Sequence, residues 1–346
     1  MKKIVFIILF TCSMNLYGSN ITFIDMATER GMQFYNAIYN DNNYIRAIFV
    51  GDILLSRYVA DSVYKNFNGD YRSLFSYVEP FLQGADIVFG NLENPVTEER
   101  MTIRNNIDTL LRYPIGGFLS FVNTCCTFGA EVQALDALKW AGFNVVNIAN
   151  NHIGDAGVEG IEDTVYNLRE IGINYVGGGL DSYESHNPYV YNKSNIKIGI
   201  LGYSNILTSR TWEAAETKAG ISIYDENTVK KDILLAKNVA DIIIVSMHFG
   251  EESDISPDPN EIEIAHSIID SGANIIIGHH PHVVLPVEVY SNGLITYSLG
   301  NFVFDNDSYD NSNGLLLEIF IDEDKNIYVI PRGVLINYAH QPIIQF

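Results

Sequence analysis

Three histidines stand close together in the stretch 274–284, which reads NIIIGHHPHVV. His279, His280 and His282 follow an apolar run that predicts a buried strand, and the whole chain has only eight histidines. Side chains at the end of a strand stop packing and begin to face a cleft. A His-x-His pair at such a point has few packing reasons to exist, so the stretch indicates a metal site.

Five further predicted strands end in side chains that bind metals or form hydrogen bonds. In open α/β sheets, ligands bind in the crevice at the carboxyl ends of the strands, where these side chains would meet. Carboxylates, imidazoles and amides without a thiolate are typical of hydrolytic sites for Mn, Fe or Zn, often with two metals bridged by water. The side chains concerned are Asp52, Asn91, Glu93, Asn150, Asn151, His152, His248, Glu251, Glu252 and Asn301.

Several of these residues also have a purely structural interpretation when each is taken alone. Asp52 is equally typical of a helix cap or a turn. Glu251 and Glu252 are candidates for a general acid or base, or for solvated charges on a loop. Asp155 could orient His152 as a hydrogen-bond acceptor, cap the following helix, or do both. The joint occurrence at six strand ends is what favours a metal site. Three histidines outside this pattern are interpreted as structural or surface residues: His186, His266 and His340.

The elements that must hold these residues follow a pattern that recurs three times. A helical periodicity ends at a glycine, one residue of any type follows, then an asparagine, and a strand begins. Other strands are short apolar runs, and residues 315–320 and 327–330 predict an antiparallel hairpin that closes the sheet edge. This pattern is typical of a layered α/β fold. The junction occupies 131–148, 159–176 and 262–277, and the other strands are Ala47–Val50, Ile87–Phe89, Ile198–Leu201, Ile242–Val245 and Ile295–Tyr297.

No linker rich in proline, glycine or serine divides the 346-residue chain. We therefore predict one domain over residues 45–338. The N-terminal lead-in over 20–44 and the segment 100–130 are predicted to be less regular. Cys125 and Cys126 are adjacent, and adjacent cysteines rarely close a bridge of normal geometry, so a disulfide framework is not expected to hold the fold.

The first residues, MKKIVFIILFTCSMNLYGSN, have the layout of a secretory signal peptide. Lys2 and Lys3 precede an apolar run that is too short to span a bilayer stably. We therefore predict a signal peptide over residues 1–19 and a mature protein that is secreted, periplasmic or on the cell surface. The alternatives are a lipoprotein signal with Cys12 lipidated, and a buried first strand.

The formal charge of the chain is −21 at pH 7. Such a surface repels nucleic acid and bare anionic membranes, so nucleic acid is not an expected partner. A polyanionic substrate would also be repelled unless metal ions or a local patch offset the field. Screening over about 8 Å at physiological salt makes this a penalty on the rate rather than an exclusion.

Six sequence blocks, taken in order, resemble the CapA-type poly-γ-glutamate capsule-synthesis family: VGDILLSR, FGNLENPVT, ANNHIGDAGVEG, MHFGEE, IIGHHPHVV and YSLGNFVFD. This family lies within the calcineurin-like metallophosphoesterase superfamily, and the resemblance runs from Ile48 to Asp305. It implies a four-layer αββα sandwich with a metal cleft at the strand ends, and an exported domain behind a signal or anchor. His280 is preferred to His279 as a ligand because His280-x-His282 aligns with the usual His-x-His. The resemblance implies two divalent metals, with ligands at Asp52, Glu93, Asn151, His152, His248, His280 and His282.

Two departures from the wider superfamily bear on the chemistry. Many phosphoesterases begin with a D-x-H motif, whereas here Leu54 stands two places after Asp52, so one metal would lose a ligand. Their second motif commonly has an aspartate after glycine, where this chain has Asn91, with Glu93 two places on. Members of the capsule family share these changes, which argue against an ordinary phosphatase more than against a metal.

We therefore predict an exported metal-dependent hydrolase or transferase that acts on poly-γ-glutamate or another cell-envelope polymer. His280, His248 and Glu251 are the predicted catalytic residues, with Glu252 as the alternative to Glu251 for moving a proton. An anionic polymer is the expected partner, together with a membrane synthase or export complex. One alternative is a phosphoesterase of a phosphorylated small molecule, which would turn over a generic phosphomonoester. Another is a non-catalytic accessory subunit of polymer synthesis and export, which would tolerate His280→Ala.

Overall fold

The computed structural model describes residues 20–39, 41–98, 128–193, 195–209, 211–305 and 312–346. The signal peptide predicted over 1–19 with Cys12, the two adjacent cysteines, and most of the segment 100–130 lie outside these residues. The strands, in chain order, are β1 (Ile21–Phe23), β2 (Ile45–Ile53), β3 (Ile87–Leu92), β4 (Val96–Thr97), β5 (Ala130–Glu131), β6 (Val145–Asn147), β7 (Asn174–Val176), β8 (Gly178–Gly179), β9 (Tyr189–Lys193), β10 (Ile196–Ser204), β11 (Gly220–Ile221), β12 (Ile242–His248), β13 (Ile275–His279), β14 (Val287–Tyr290), β15 (Gly293–Thr296), β16 (Asn301–Val303), β17 (Asn313–Ile321), β18 (Ile327–Ile336) and β19 (Pro342–Ile344). The α-helices are α1 (Glu29–Tyr39), α2 (Arg57–Phe67), α3 (Glu79–Leu82), α4 (Gln133–Ala141), α5 (Gly157–Ile171), α6 (Ser182–Ser185), α7 (Glu226–Ala236) and α8 (Pro259–Asp270).

Most of the strands belong to two sheets. The larger sheet has the order β1-β18-β17-β2-β3-β6-β7, with β16 beside β2 and β19 beside β18. The smaller sheet has the order β14-β15-β13-β12-β10-β9. β2, β3, β6 and β7 run parallel to one another, as do β10, β12, β13 and β15. Because parallel strands have their carboxyl ends on the same side, the polar residues that follow them are brought to one edge.

The two sheets pack face to face through an apolar layer to which both contribute. Side chains alternate between the two faces of a strand, so Phe49 points into this layer while its neighbour Ile48 packs against the helices outside. In the smaller sheet, Ile244 points inward and Ile243 points outward in the same way. All four side chains are buried, and truncating one such side chain to alanine costs ~2–5 kcal/mol.

Helices cover the outer face of each sheet. α2, α4 and α5 pack on the larger sheet through residues such as Val63, Leu138 and Val165. α7 and α8 pack on the smaller sheet through Ile233 and Ile268. The order helix, sheet, sheet, helix confirms the predicted four-layer αββα sandwich. None of the helices in the described ranges is long and apolar enough to cross a membrane.

The recurring junction of the sequence is confirmed, and it has a structural reason. α4 and α5 end at Gly142 and Gly172, whose φ angles of 108° and 73° lie in the left-handed region that favours glycine. The asparagine two residues later ties the new strand to its neighbour. Oδ1 of Asn144 accepts from a backbone N–H of β3 at 3.0 Å, and Oδ1 of Asn274 accepts from one of β12 at 2.9 Å. The junctions at Asn144 and Asn274 thus fix the starts of β6 and β13, two strands that are followed by site residues.

The predicted hairpin is confirmed as β17 and β18, which pair antiparallel along their length. It does not close the sheet edge, because β1 and β19 also pair with β18. The lead-in 20–44, predicted to be less regular, contains β1 and α1, and α1 packs Ile38 against Phe320 and Ile330. A strand of three residues carries too little periodicity to be recognised in a sequence.

Pairing places β1 at the end of the larger sheet opposite to the site residues. Ile21 lies beside Ile327, Ile327 faces Ile321, and Ile321 faces Ile45 at the start of β2. Asp52 lies near the other end of β2. The chain therefore enters the domain on the side away from the polar strand ends.

Candidate metal centre

Polar side chains from both sheets meet where the strands end. Parallel pairing of β2 and β3 places Asp52 opposite Asn91, and Asn301 of β16 pairs with Asp52 from the other side. In the smaller sheet, β12 and β13 place His248 opposite His279. All five side chains are buried. The strand ends that were predicted to meet therefore do meet.

The turn after β13 has an unusual backbone. His280 and His282 have φ angles of 102° and 59°, in a region that residues other than glycine seldom occupy. Gly278, just before them, packs so closely that a Cβ there would lie 2.0 Å from the carbonyl oxygen of Tyr297. Strained backbone persists only where the surroundings enforce it, and it clusters at functional sites.

Asp52 lies at the centre of one cluster of donors. Its Oδ1 accepts from Nδ2 of Asn91 at 2.8 Å, and its Oδ2 accepts from the backbone N of His280 at 3.2 Å. Nδ1 of His279 and Nδ1 of His282 each lie 3.3 Å from its carboxylate. Burial by itself raises the pKa of Asp52, but the contacts with His279 and His282 outweigh burial and hold this pKa well below its usual range. Asp52 is therefore ionised, as a metal ligand must be.

Glu93 is shared between two groups of potential ligands. One group joins it to His248 and His280, the other joins it to Asp52 and His282, and in each group the ligand atoms lie within 4.8 Å of one another. Oε1 of Glu93 lies 3.9 Å from Nε2 of His248 and 3.7 Å from Nε2 of His282. This oxygen is buried and has no hydrogen-bond partner among the described residues. Burial and the charge of Asp52 raise the pKa of Glu93 well above its usual range.

His248 and His280 are held in the neutral form that binds metals. Burial lowers the pKa of His248 well below its usual range, and the proximity of His280, which disfavours a second positive charge, adds to this effect. Burial, followed by the charge of His282, lowers the pKa of His280 to about 3. The ring centroids of His248 and His280 lie 4.8 Å apart. Oδ1 of Asn151 lies 2.8 Å from Nε2 of His248, so the amide that is predicted to be a ligand lies next to this histidine.

His282 differs from these two histidines because carboxylates surround it. Its Nδ1 lies 3.0 Å from Oδ1 of Asn301, and its Nε2 faces Glu93. Burial lowers the pKa of a histidine, but Glu93 and Asp52 more than offset burial and raise the pKa of His282 to about 10. The ring also contacts Phe304, with centroids 4.5 Å apart. At neutral pH a metal would therefore have to displace a proton from His282.

His152 stands beside the ligand groups and belongs to none of those found among the described residues. Its Nδ1 lies 3.0 Å from Oδ2 of Asp155, so the predicted orienting contact is present. The N-cap of α5 is Ala156, not Asp155. The ring of His152 stacks on Phe128 with centroids 3.8 Å apart, and its charge lowers the pKa of His280. A direct ligand role for His152 stays a prediction.

Of the two adjacent glutamates that follow β12, the structure brings Glu252 to the site. Its carboxylate forms a third group of potential ligands with His280 and His282. Glu251, the glutamate that the sequence predicts to be catalytic, belongs to none of the three groups within the described ranges. Both glutamates are exposed. The geometry therefore favours Glu252 over Glu251 for moving a proton at this centre.

An amide network behind the site includes a residue that sequence reasoning missed. Oδ1 of Asn91 accepts from Nδ2 of Asn147 at 3.0 Å and from Nδ2 of Asn150 at 3.1 Å. This fixes the Asn91 amide so that its Nδ2 donates to Asp52. Asn150 also accepts from the backbone N of His152 at 3.1 Å. The signal for Asn147 was the presence of three asparagines within five residues after an apolar run.

Leu54 occupies the place where a D-x-H motif would supply a histidine. It is buried in an apolar cluster with Phe128 and Phe304, so the departure replaces a ligand with part of an apolar wall. The three histidines interpreted as structural contact other groups: His186 lies against Asp232, His266 against Glu288, and His340 against the carbonyl of Phe304.

The donor set fits divalent metals. It combines buried carboxylates with neutral imidazoles and an amide oxygen, the ligands that Zn, Fe and Mn accept. Oε1 of Glu93 and Nδ1 of His280 are buried without a hydrogen-bond partner in the part of the chain that the structure describes. Buried polar atoms are nearly always satisfied, and a bound cation supplies the kind of partner that these atoms need.

Comparison with known proteins adds a family. The family model described as "Bacterial capsule synthesis protein PGA_cap" matches residues 46–306. The chain is 33% identical over 271 residues to the capsule biosynthesis protein CapA of Bacillus anthracis. This alignment covers 77% of this chain and 61% of that protein. It is 35% identical over 268 residues to the PGA biosynthesis protein CapA of Bacillus subtilis. This alignment covers 77% of this chain and 65% of that protein. The chain thus spans less than two thirds of the length of these relatives.

A solved structure is also similar in outline. The crystal structure of a novel phosphatase from Mycoplasma pneumoniae has a TM-score of 0.47 and 15% sequence identity, covering 87% of this chain and 94% of that one. A TM-score below 0.5 at this identity supports no conclusion on activity. The sequence relatives and the family match are what bear on function.

Proposed function

Since the chain belongs to the PGA_cap family of bacterial capsule synthesis proteins, we propose that it is an exported metal-dependent hydrolase or transferase. The substrate in this proposal is poly-γ-glutamate or a related cell-envelope polymer. The observation that carries the proposal is the position of Glu93 between two groups of buried potential ligands. A carboxylate shared in this way could belong to the ligands of two neighbouring metals, which is the arrangement of a two-metal hydrolytic centre.

Two sets of side chains would hold the metals. When bound, divalent metals supply Lewis-acid chemistry, which polarises a substrate oxygen and acidifies water. The chain prepares its donors for this, because Asp52 is kept ionised while His248 and His280 are kept neutral. The first set is Glu93, His248, His280 and the amide oxygen of Asn151, and the second is Asp52, Glu93 and His282.

Two further side chains are proposed to handle protons. The carboxylate of Glu252, beside His280 and His282, would accept the proton of the attacking water or acyl acceptor. Nδ1 of His152 donates to Asp155, which holds the ring in one orientation. Nε2 of the protonated ring would then give its proton to the leaving amine.

The substrate class and the location are proposals that rest on different observations. The two relatives are named for capsule and PGA biosynthesis. Leu54 makes this site differ from that of D-x-H phosphoesterases, which favours another substrate class. Export rests on the signal-like pattern of residues 1–19, with a lipid anchor at Cys12 as its alternative form. A membrane synthase or export complex is the proposed macromolecular partner.

Metal content and polymer cleavage, measured on the same preparation, test the proposal. The purified protein is reconstituted with Mn, Fe or Zn, its metal is counted by mass spectrometry, and new amino termini are measured with γ-linked oligoglutamate. We expect one to two metals per chain together with cleavage or transfer. Cleavage should be lost and metal content sharply reduced in His280→Ala, which keeps only the second set of ligands. Both should be kept in His266→Ala, because His266 pairs with Glu288 outside the ligand groups.

Two other results would replace the proposal. Bound metal with turnover of a generic phosphomonoester, but none of the oligoglutamate, would identify a phosphoesterase. No metal in the parent protein, even after reconstitution, would reject a catalytic centre. A non-catalytic accessory subunit would then be the better description, and capsule formation in a strain carrying His280→Ala would support it.

A further inference from the structure

Arg57 is the first residue of α2, five positions after Asp52, and its side chain is 24% exposed. Its φ angle is 52°, in the left-handed region that a residue other than glycine seldom adopts. Strain of this kind persists where the surroundings enforce it, and it clusters at ligand-binding sites. The outlier therefore points to a role for Arg57 beyond the start of a helix.

Two of the contacts of the guanidinium, with Asp305 and with Phe128, hold it in one orientation. Its Nε lies 3.1 Å from Oδ2 of Asp305, and the same oxygen accepts from the backbone N of Tyr58 at 3.2 Å. The guanidinium carbon lies 5.0 Å from the centroid of the Phe128 ring, within the range of a cation–π interaction. A side chain fixed on two sides loses little conformational entropy when it binds a ligand.

Both contacts connect Arg57 to histidines of the metal centre. Phe128 lies beside the guanidinium and also stacks on His152, with ring centroids 3.8 Å apart. Phe304, the residue before the ion-pair partner of Arg57, contacts the ring of His282 at 4.5 Å. One aromatic ring thus separates the guanidinium from a histidine of the site.

We propose that Arg57 binds a carboxylate of the substrate next to the bond that is broken. This inference rests on the proposed function, in which the substrate is a polymer with a carboxylate on each residue. The planar fork of an arginine binds a carboxylate through two parallel hydrogen bonds. Arg57 would therefore make the site selective for an anionic polymer over a neutral one.

The charge of the chain explains why such a residue is needed. The formal charge is −21, and the site itself contains Asp52, Glu93 and Glu252. A polyanion that approaches this cleft is repelled unless a cation lies where it enters. The guanidinium, partly exposed and next to Phe128, lies where it can offset part of that repulsion, although Asp305 already balances part of its charge.

Fluorescence anisotropy with the metal-loaded protein tests the inference. The first probe is a labelled γ-linked oligoglutamate, and the second has the same length with its α-carboxylates amidated, so that it is neutral. The variants are Arg57→Gln, Arg57→Lys and Lys65→Gln. Lys65 is an exposed residue later in α2, so its replacement removes the same charge from the same helix.

We expect Arg57→Gln to weaken binding of the acidic probe by about tenfold or more, while Lys65→Gln changes it by less than about twofold. Arg57→Lys should fall between them, because it keeps the charge and loses the fork. Binding of the neutral probe should be the same in all four proteins. Metal content and thermal unfolding are measured for each variant to confirm that the fold and the centre are intact.

Two results would overturn the inference, and they differ in what they leave standing. Equal affinity of the parent and Arg57→Gln for the acidic probe would show that Arg57 binds no substrate carboxylate, while the proposed function would stand. Failure of the metal-loaded parent to bind the acidic probe would reject the polymer as substrate, and the inference would fall with it. If Arg57→Gln does not fold, Arg57→Lys is measured in its place. Equal affinity of Arg57→Lys and the parent for the acidic probe would then overturn the inference.

Discussion

Oε1 of Glu93 lies 3.7 Å from Nε2 of His282, although the two residues belong to different sheets of the sandwich. Glu93 follows β3 in the larger sheet, and His282 follows β13 in the smaller one. A cation bound by both would join the two halves of the fold at the edge where their strands end. Metal binding and resistance to unfolding should therefore be linked.

Metal at about 100 times its dissociation constant is expected to stabilise the folded protein by ~2.7 kcal/mol, because it binds the folded chain and not the unfolded one. Thermal unfolding followed by circular dichroism, with and without a chelator, measures the effect. Metal should raise the unfolding temperature of His280→Ala less than that of the parent, because this variant keeps only the ligands Asp52, Glu93 and His282. An unfolding temperature of the parent that does not respond to metal would contradict the link between the sheets.

Replacing Glu93 by glutamine is expected to weaken both metal positions by about tenfold or more, because one carboxylate belongs to both ligand groups. Metal counted by mass spectrometry should fall well below one equivalent. Glu98→Gln removes the same charge from an exposed nearby residue and should keep the metal content of the parent. A full equivalent of metal in Glu93→Gln would show that the carboxylate is not shared.

Metal affinity is expected to rise with pH across the neutral range. The pKa of His282 is raised to about 10 by Glu93 and Asp52, so without metal His282 is protonated below that pH. Binding must displace this proton, and each proton displaced makes the affinity rise about tenfold per pH unit. Calorimetry in buffers of different ionisation enthalpy should show release of at least one proton at pH 7. Binding without proton release would mean that His282 is not a ligand.

Glu252→Gln is expected to lower kcat by about a hundredfold, whereas Glu251→Gln should change it little. The reason is that Glu252 forms a group of potential ligands with His280 and His282, whereas Glu251 belongs to no such group among the described residues. Steady-state kinetics on γ-linked oligoglutamate compare the two variants, and metal content is measured beside them. A loss of metal in Glu252→Gln would make this residue a ligand, and equal activity of both variants would remove it from the mechanism.

Asp155→Asn is expected to lower kcat by about tenfold or more with little change in KM or metal content, because Asp155 acts through the ring of His152. The variant Asp155→Asn/His152→Ala should be no slower than His152→Ala, since the two residues act as a unit. Additive losses in the double variant would show that Asp155 has a separate function, such as its contact with the backbone N of Phe128.

Much of the centre could be predicted because its signals are local in the sequence. A polar residue at the end of an apolar run makes Asp52, His248 and His280 candidate ligands without any knowledge of the distant chain. Choosing between Glu251 and Glu252 depends instead on the course of one loop. Two of its residues, Gly250 and Ser253, have φ angles of 94° and 66°, and neighbouring side chains there follow no simple periodicity.

The features that sequence reasoning missed depend on contacts between remote segments. β1 is recognised as a strand only because β18, about three hundred residues later, offers it an edge. Arg57 looks like an ordinary helix start until its contacts with Phe128 and Asp305 are known. Asn147 supports the site through Asn91, and its one local signal, the asparagines that cluster around it, is equally typical of a turn.

The chain enters the domain at β1, which lies at the end of the larger sheet opposite to the cleft. Ile21 lies level with the start of β2, and the cleft lies near its other end, ~26 Å away at the usual rise of a strand. A tether before Asn20, such as a lipid on Cys12, would turn the back of the sandwich to the bilayer and the cleft outward. A polymer leaving the membrane would then reach the cleft only after it had extended past the full height of the domain. Under the proposed function, a protein anchored in this way would trim or transfer chain that has already emerged, rather than the end that is still growing at the membrane.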